Sequence, residues 1–109
     1  DTSPDVIKQL HANALLLKTE NVECLAGDFL KQKFLDEKKF DIVFLDPPFQ
    51  KNLLLSACEF LETHALLSAH AHIYLECKKG SVDFSQLPTT WVIQKHKHTS
   101  TIDYLLCIR

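Results

Sequence analysis

The chain contains no methionine and only two glycines, Gly27 and Gly80, among its 109 residues. The lack of methionine leads us to expect that residue 1 is not the natural start of a gene product. A nucleotide-binding α/β domain normally has a glycine-rich turn after its first strand, where the backbone approaches the ligand closely. No such turn is present, so either the fold is of another kind or the chain begins after that turn. We favour the second interpretation.

Other absences narrow the class of protein further. No apolar run approaches the roughly 18 residues that span a membrane, and no signal-peptide pattern opens the chain. The four cysteines form no Cys-x-x-Cys pair, which predicts reduced thiols in a cytoplasmic protein. They are Cys24, Cys58, Cys77 and Cys107. The net charge of −2 is weak evidence against a nucleic-acid partner, since phosphate binding requires Lys and Arg.

The most informative stretch that is present is Asp46-Pro47-Pro48-Phe49. It follows the apolar run 40–45, which predicts a strand buried on both faces. Each proline fixes its own φ, lacks an N–H and keeps the preceding residue out of the helical region. The sequence therefore predicts a stiff corner at the carboxyl end of a strand, which is the edge where open α/β sheets bind ligands.

This corner has the groups needed to hold an aromatic amine. A carboxylate and a backbone carbonyl can accept both hydrogens of an exocyclic NH2 group, and a ring can stack on the base that carries it. Accepting those hydrogens leaves the nitrogen lone pair available to attack an electrophilic carbon. The alternative is an ordinary turn between a strand and a loop, with an aspartate that caps it.

Helical and strand patterns alternate along the chain, which predicts an α/β fold with a mostly parallel sheet and helices on its faces. A terminal hairpin would add an antiparallel strand, and we expect a single domain over residues 1–109. The predicted helices begin at Ser3-Pro4, at Phe29 after an Asp28 cap, and at 53, the last running to 64. The predicted strands are 22–26, 40–45, 70–77, 91–96 and 102–108.

The element order is similar to the second part of a Rossmann-like (class I) S-adenosylmethionine-dependent methyltransferase. The corner resembles the Asp/Asn-Pro-Pro-aromatic motif of enzymes that methylate adenine N6 or guanine N2. Within that class the chain most resembles the RsmD-type bacterial enzymes, which methylate guanine N2 in small-subunit ribosomal RNA. The stretches 6–13, 40–49 and 73–76 carry this resemblance, and it extends over nearly the whole chain.

The resemblance implies roles for the corner residues. Asp46 would hold the amine of a flipped guanine, and the carbonyls of Asp46 and Pro47 would take the second hydrogen of that amine. Phe49 would stack on the base, and Pro48 would keep the corner rigid. Because a stacked nucleotide cannot present its amine to the methyl donor, the base has to leave the helix.

The resemblance also implies cofactor contacts. Asp28 would accept from the adenine amine of S-adenosylmethionine, Phe29 would supply a backbone N–H, and Asp1 would bind the ribose. Since the family's first strand and glycine-rich loop are missing, we expect this chain alone to bind S-adenosylmethionine weakly or not at all. The missing neighbour strand would also leave an open sheet edge, which invites self-association.

Basic residues cluster near two predicted strand ends. Lys78 and Lys79 follow one strand, and Lys95 and Lys97 lie near the end of the next. They are candidate contacts to RNA phosphates, although a solvated hairpin tip is the alternative. The pairs His70-x-His72 and His96-x-His98 have a spacing that can hold zinc, but no third ligand is evident and we predict no metal site.

Two other functions remain open from the sequence. An adenine-N6 methyltransferase of DNA or RNA would use the same tetrapeptide. A non-catalytic α/β module used for assembly could retain the tetrapeptide without using it.

Overall fold

The computed structural model describes residues 1–31, 38–49 and 53–109. The chain divides into two compact units, Asp1–Lys33 and Phe34–Arg109. No helix in the described parts has the length and apolar character that a membrane crossing requires.

The first unit is built on helix α1, Pro4–Leu16. Its start is as predicted, because the Ser3 side chain accepts a hydrogen bond from the Val6 N–H at 3.4 Å and Pro4 occupies the first helical position. The apolar positions of α1 do not form a buried stripe, since none of its residues is buried and Leu15 is 80% exposed.

The predicted strand 22–26 is wrong. These residues adopt no regular secondary structure, and a ladder of backbone hydrogen bonds does not form along them. Leu25 and Gly27 instead bond to Asp1: the Asp1 amine donates to the Leu25 carbonyl at 3.0 Å, and the Gly27 N–H donates to the Asp1 carbonyl at 2.9 Å. An apolar run becomes a strand only where a second backbone pairs with it along its length, and Asp1 supplies a single position.

The helix predicted from Phe29 is only partly described. The structure has a single 3-10 turn over Phe29–Lys31, and the residues that follow, 32–37, lie outside the described residues. The predicted cap is present, because Asp28 Oδ1 accepts a hydrogen bond from the Leu30 N–H at 3.1 Å.

In its described residues the second unit contains one α-helix and a four-stranded sheet. Its elements are β1 (Phe40–Leu45), α2 (Leu53–Thr63), β2 (Leu67–Lys78), a 3-10 turn (Phe84–Gln86), β3 (Val92–His98) and β4 (Ile102–Ile108). The strand order is β1-β2-β4-β3. The predicted antiparallel hairpin is confirmed in β3 and β4, which the tip at Thr99-Ser100 connects.

The expectation of a mostly parallel sheet is wrong. Among the described strands only β1 and β2 pair in parallel, while β4 pairs antiparallel with both β2 and β3. The hairpin returns β4 into the position beside β2, so one strand generates two antiparallel pairings. Because β2 and β3 both oppose β4, they run in the same direction as β1, and the carboxyl ends of all three strands lie at one edge of the sheet.

The core of the second unit lies between α2 and one face of the sheet. The apolar residues of α2 recur at helical spacing and form its buried stripe, which consists of Leu54, Ala57, Cys58 and Leu61. The facing strand residues alternate along β2 and β4. They include Ile73, Leu75, Cys77, Leu105 and Cys107.

The opposite face of the sheet is open, so the prediction that β1 is buried on both faces is wrong. Ile42 is 63% exposed and Phe44 is 74% exposed, and the burial of β1 alternates near its end. Apolar runs in buried parallel strands and in exposed edge strands have the same composition, and β1 is an edge strand of the described sheet.

Candidate functional site

The Asp46-to-Phe49 corner lies directly after β1, at the carboxyl edge of the sheet. Asp46 and Phe49 are exposed, and Phe49 retains 44% of its accessible surface. Asp46, Pro47 and Pro48 belong to no helix or strand, which agrees with the loss of backbone donors at two successive prolines. The corner thus presents a carboxylate and a ring to solvent.

A small pocket adjoins the corner. It is lined by residues 47–49, by Leu53 and Leu54 at the start of α2, and by Glu76, Cys77, Ser81 and Val82. The pocket therefore lies between the loops that follow β1 and β2. Sequence reasoning assigned residues 47–49 to this site, and it assigned no role to Glu76, Ser81 or Val82.

The pairing of β1 with β2 explains why Glu76 reaches the corner. Leu45 and Leu75 are partners in the parallel ladder, and the next residue of each strand is an acid, Asp46 or Glu76. Adjacent parallel strands lie about 4.8 Å apart. A sequence signal existed in the two apolar runs that each end in an acid, but the register that aligns them is a tertiary feature.

Tyr74 lies two residues before Glu76 in β2, on the same face of the sheet, and it is near enough to Asp46 to feel its charge. Desolvation raises the pKa of Tyr74, and the charges of Glu76, Tyr104 and Asp46 raise it further. The ring of Tyr74 lies between those of Phe44 and Tyr104, with centroid distances of 5.7 Å and 6.3 Å. An aromatic row thus crosses the open face of the sheet, next to the two acids.

The four candidate RNA-binding lysines are all exposed. Lys78 and Lys79 lie where β2 ends, and the Lys79 Nζ is 3.2 Å from the His98 Nδ1 at the end of β3. Lys97 is opposite Tyr104, and Lys95 is opposite Leu106, further from the edge. Lys78, Lys79 and Lys97 therefore lie at the same edge of the sheet as the corner. Lys95 lies two residues before Lys97 along β3, further from that edge.

Asp103 holds this edge together, although its sequence pattern gave it no role. It is 5% exposed, its Oδ1 lies 2.8 Å from the His96 Nε2, and its Oδ2 accepts from the Gly80 N–H at 3.1 Å. Gly80 has a φ of +70°, which favours glycine in the turn after β2. The sequence did contain a signal for this role of Asp103. In the alternating strand 102–108, Asp103 is an acid on the same face as the apolar residues Leu105 and Cys107.

The predicted cofactor residues all lie in the first unit. The Asp1 Oδ1 accepts from the Ser3 N–H at 2.7 Å, and the Asp28 Oδ2 lies 3.7 Å from the Lys31 Nζ. Asp1 and Asp28 come near each other through Gly27, which bonds to the Asp1 carbonyl. Phe29 is the first residue of the 3-10 turn that Asp28 caps.

Within the described ranges no three His, Cys, Asp or Glu side chains converge as metal ligands would. The four cysteines are free thiols. Burial raises the pKa of Cys58 to about 12 and that of Cys107 to about 11, so neither is an activated nucleophile.

Comparison with known proteins gives relatives along the whole chain. The family model described as "Conserved hypothetical protein 95" matches residues 1–108. Ribosomal RNA small subunit methyltransferase D of Haemophilus influenzae is 37% identical over 106 residues, which cover 93% of this chain and 53% of that protein. The protein of the same name from Escherichia coli K12 is 32% identical over 104 residues, covering 93% of this chain and 50% of that protein.

Solved structures agree with these matches. The structure of a protein assigned as a methylase from Haemophilus influenzae superposes with a TM-score of 0.86 at 32% identity, covering 99% of this chain and 68% of that one. A protein assigned as a methyltransferase from Escherichia coli gives a TM-score of 0.84 at 29% identity, covering 100% and 59%. The chain spans about half the length of the curated relatives it matches. The chain belongs to the Conserved hypothetical protein 95 family, the family of ribosomal RNA small subunit methyltransferase D.

Proposed function

We propose that this chain carries the substrate-amine site of an enzyme that methylates the N2 amine of a guanine in small-subunit ribosomal RNA, with S-adenosylmethionine as methyl donor. The observation that carries the proposal is the exposed Asp46-to-Phe49 corner, which lies at the carboxyl end of β1 beside a pocket. The names of the curated relatives support ribosomal RNA as the substrate class.

The corner would act on the amine by accepting its hydrogens. The Asp46 carboxylate takes one N–H, and a carbonyl of Asp46 or Pro47 takes the other, which directs the nitrogen lone pair outward. Phe49 stacks on the base and fixes its plane. As the nitrogen gains its methyl group it releases one proton, and Asp46 is the corner's carboxylate that can receive it. Much of the rate would come from this positioning.

Residues of the first unit fit part of the donor molecule. Each carboxylate oxygen has two lone pairs, so Asp28, whose Oδ1 accepts one N–H, retains capacity for an adenine amine. Asp1 likewise retains capacity for ribose hydroxyls, and Phe29 would offer its backbone N–H to the adenine ring. When bound, S-adenosylmethionine supplies a methyl group on a positively charged sulfur and departs as a neutral thioether.

The lysines at the sheet edge would contact the RNA backbone. Lys78, Lys79 and Lys97 place positive charge at the same edge as the corner, and Lys95 extends it along β3. Phosphate contacts of this kind set the position of the RNA, and they do not read its sequence. The overall charge of −2 already includes these lysines, so their clustering gives one edge of an acidic chain a local positive charge.

The test uses a chimera in which the 109-residue chain replaces the matching part of the Haemophilus influenzae relative. The chimera is incubated with small-subunit ribosomal RNA or subunits and with S-adenosylmethionine that carries a tritiated methyl group, and the RNA is then digested to nucleosides. We expect the label in N2-methylguanosine. Label in N6-methyladenosine would establish the adenine alternative, and the absence of label from both would favour a non-catalytic module.

A further inference from the structure

We propose that Glu76 is a specificity-determining residue that accepts the N1–H of the target guanine while Asp46 holds the neighbouring N2 amine. This inference rests on the proposed function and names the group that would select guanine over adenine. Strand register, the lining of the pocket and the chemistry of the two bases support it.

The two carboxylates leave the sheet side by side. In the parallel pair β1–β2, Phe44 is opposite Tyr74 and Leu45 is opposite Leu75, so Asp46 and Glu76 follow at neighbouring positions. The rings of Phe44 and Tyr74 are 5.7 Å apart on the open face. Glu76, two positions further along β2, shares that face, and Asp46 directly follows the end of β1. Both acids also lie close enough to act on the Tyr74 phenol, whose raised pKa follows first from desolvation.

Glu76 is the more enclosed of the two acids. It is half-buried and lines the pocket together with residues 47–49, whereas Asp46 is exposed and directly precedes those residues in the chain. Neither carboxylate forms a hydrogen bond or an ion pair with the residues that the structure describes. Two acceptors with no donor among the described residues, beside a stacking ring, are suited to a ligand that brings two adjacent donors.

Guanine is the base whose edge fits this pair of acceptors. The Watson–Crick edge of guanine presents N1–H next to the N2 amine, and both are donors. Adenine presents an amine next to N1, which is an acceptor, so its lone pair would face the Glu76 carboxylate. A site built to accept a particular N–H rejects analogues that lack it, by as much as about 10⁴-fold to 10⁵-fold. Enzymes that act on flipped bases read them at this edge.

The experiment compares two target bases in the chimera described above. The RNA carries either guanine or 2-aminopurine at the methylated position. 2-Aminopurine retains the N2 amine, but its N1 is an acceptor with no hydrogen. We measure kcat/KM for both substrates with unaltered Glu76, with Glu76→Gln and with a control, Glu59→Gln, at an exposed position of α2.

We expect the unaltered chimera to prefer guanine strongly, and Glu76→Gln to reduce that preference by at least about tenfold, because the amide can donate to an N1 acceptor. Glu59→Gln should leave the preference unchanged. The preference is the ratio of kcat/KM for the guanine substrate to kcat/KM for the 2-aminopurine substrate. Because both values refer to the same enzyme sample, this ratio does not depend on the fraction of a variant that is folded.

The outcomes separate the inference from the proposed function. If the chimera methylates guanine and Glu76→Gln leaves the preference unchanged, the role of Glu76 is wrong and the proposed function stands. If the chimera methylates adenine or no base at all, the proposed function fails and the inference fails with it.

Discussion

Phe44 and Tyr74 face each other across the parallel strands β1 and β2, with ring centroids 5.7 Å apart on the open face of the sheet. Phe44 is 74% exposed, and β1 pairs with β2 alone in the described sheet. An edge strand with unpaired backbone groups and exposed apolar side chains favours pairing with another chain.

We therefore expect the 109-residue chain to self-associate through β1. In sedimentation equilibrium the apparent molecular mass should rise with protein concentration. Phe44→Lys should lower the association constant at least about tenfold, because it removes a large apolar side chain from the interface. Leu15→Lys, at another exposed apolar position in the first unit, is the matched control. Equal weakening by both variants would show that the association is not specific to β1.

The Asp46 carboxylate should be the most sensitive single group for methyl transfer. In the chimera, Asp46→Ala should lower kcat about 10²-fold to 10³-fold, the usual cost of removing one preorganised polar group from a reacting centre. Asp46→Asn should lower it less, because an amide oxygen still accepts one hydrogen bond. Asp41→Ala, in β1 itself, is the control. A normal rate for Asp46→Ala would refute the role of the corner.

The lysine edge should determine how RNA binding depends on salt. Replacing Lys95 and Lys97 by Gln should lower affinity and reduce the slope of log K against log salt by roughly 0.7 to 0.9 for each phosphate that the protein no longer neutralises. Filter binding of the chimera at several salt concentrations measures this slope, with Lys8→Gln as the control. An unchanged slope would show that these lysines do not bind phosphates.

Asp103 should make the second unit sensitive to acid. The hydrogen bond from His96 holds the pKa of Asp103 below its usual value of 3.8, desolvation opposes this shift, and the Gly80 N–H adds to it. The unfolded chain therefore takes up the proton more readily than the folded one. The resulting stability is fully present above pH 3.8 and is lost as the pH falls through the lower native pKa.

Asp103→Asn tests this linkage. At pH 7 the free energy of unfolding should fall by about 1–3 kcal/mol, because the buried hydrogen bonds are weakened. The difference in free energy of unfolding between the unaltered chain and Asp103→Asn should shrink below pH 3.8. Trp91, the chain's single tryptophan, is buried in the second unit, so its fluorescence in urea reports unfolding there. If the difference in free energy of unfolding between the two proteins stays constant down to the lowest pH, the linkage is contradicted. Glu59→Gln, at an exposed position, is the control.

The four thiols should differ in reactivity. Burial raises the pKa values of Cys58, Cys77 and Cys107, so few of these thiols are ionised at pH 8, whereas Cys24 is only half-buried. Ellman's reagent should therefore release about one equivalent quickly, and Cys24→Ser should abolish that phase. Urea should make all four thiols reactive, and a fast phase of two or more equivalents in the native protein would contradict the assignment.

Local signals in the sequence determined much of this protein. Ser3 and Pro4 begin α1, the apolar spacing of α2 gives its buried stripe, and alternation in residues 102–108 gives β4, since caps and periodicity depend on neighbouring residues alone. The corner was recognisable from residues 40–49, and the family from the stretches 6–13, 40–49 and 73–76.

Only the tertiary structure decided the pairings. It left residues 22–26 without a strand partner, exposed one face of β1, inserted β4 beside β2 and placed Glu76 next to Asp46. Strand neighbours and register depend on contacts between residues far apart in the chain, and a shift of one residue exchanges the two faces of a strand. Composition therefore shows which residues can form a strand, whereas the assembled sheet determines what each side chain contacts.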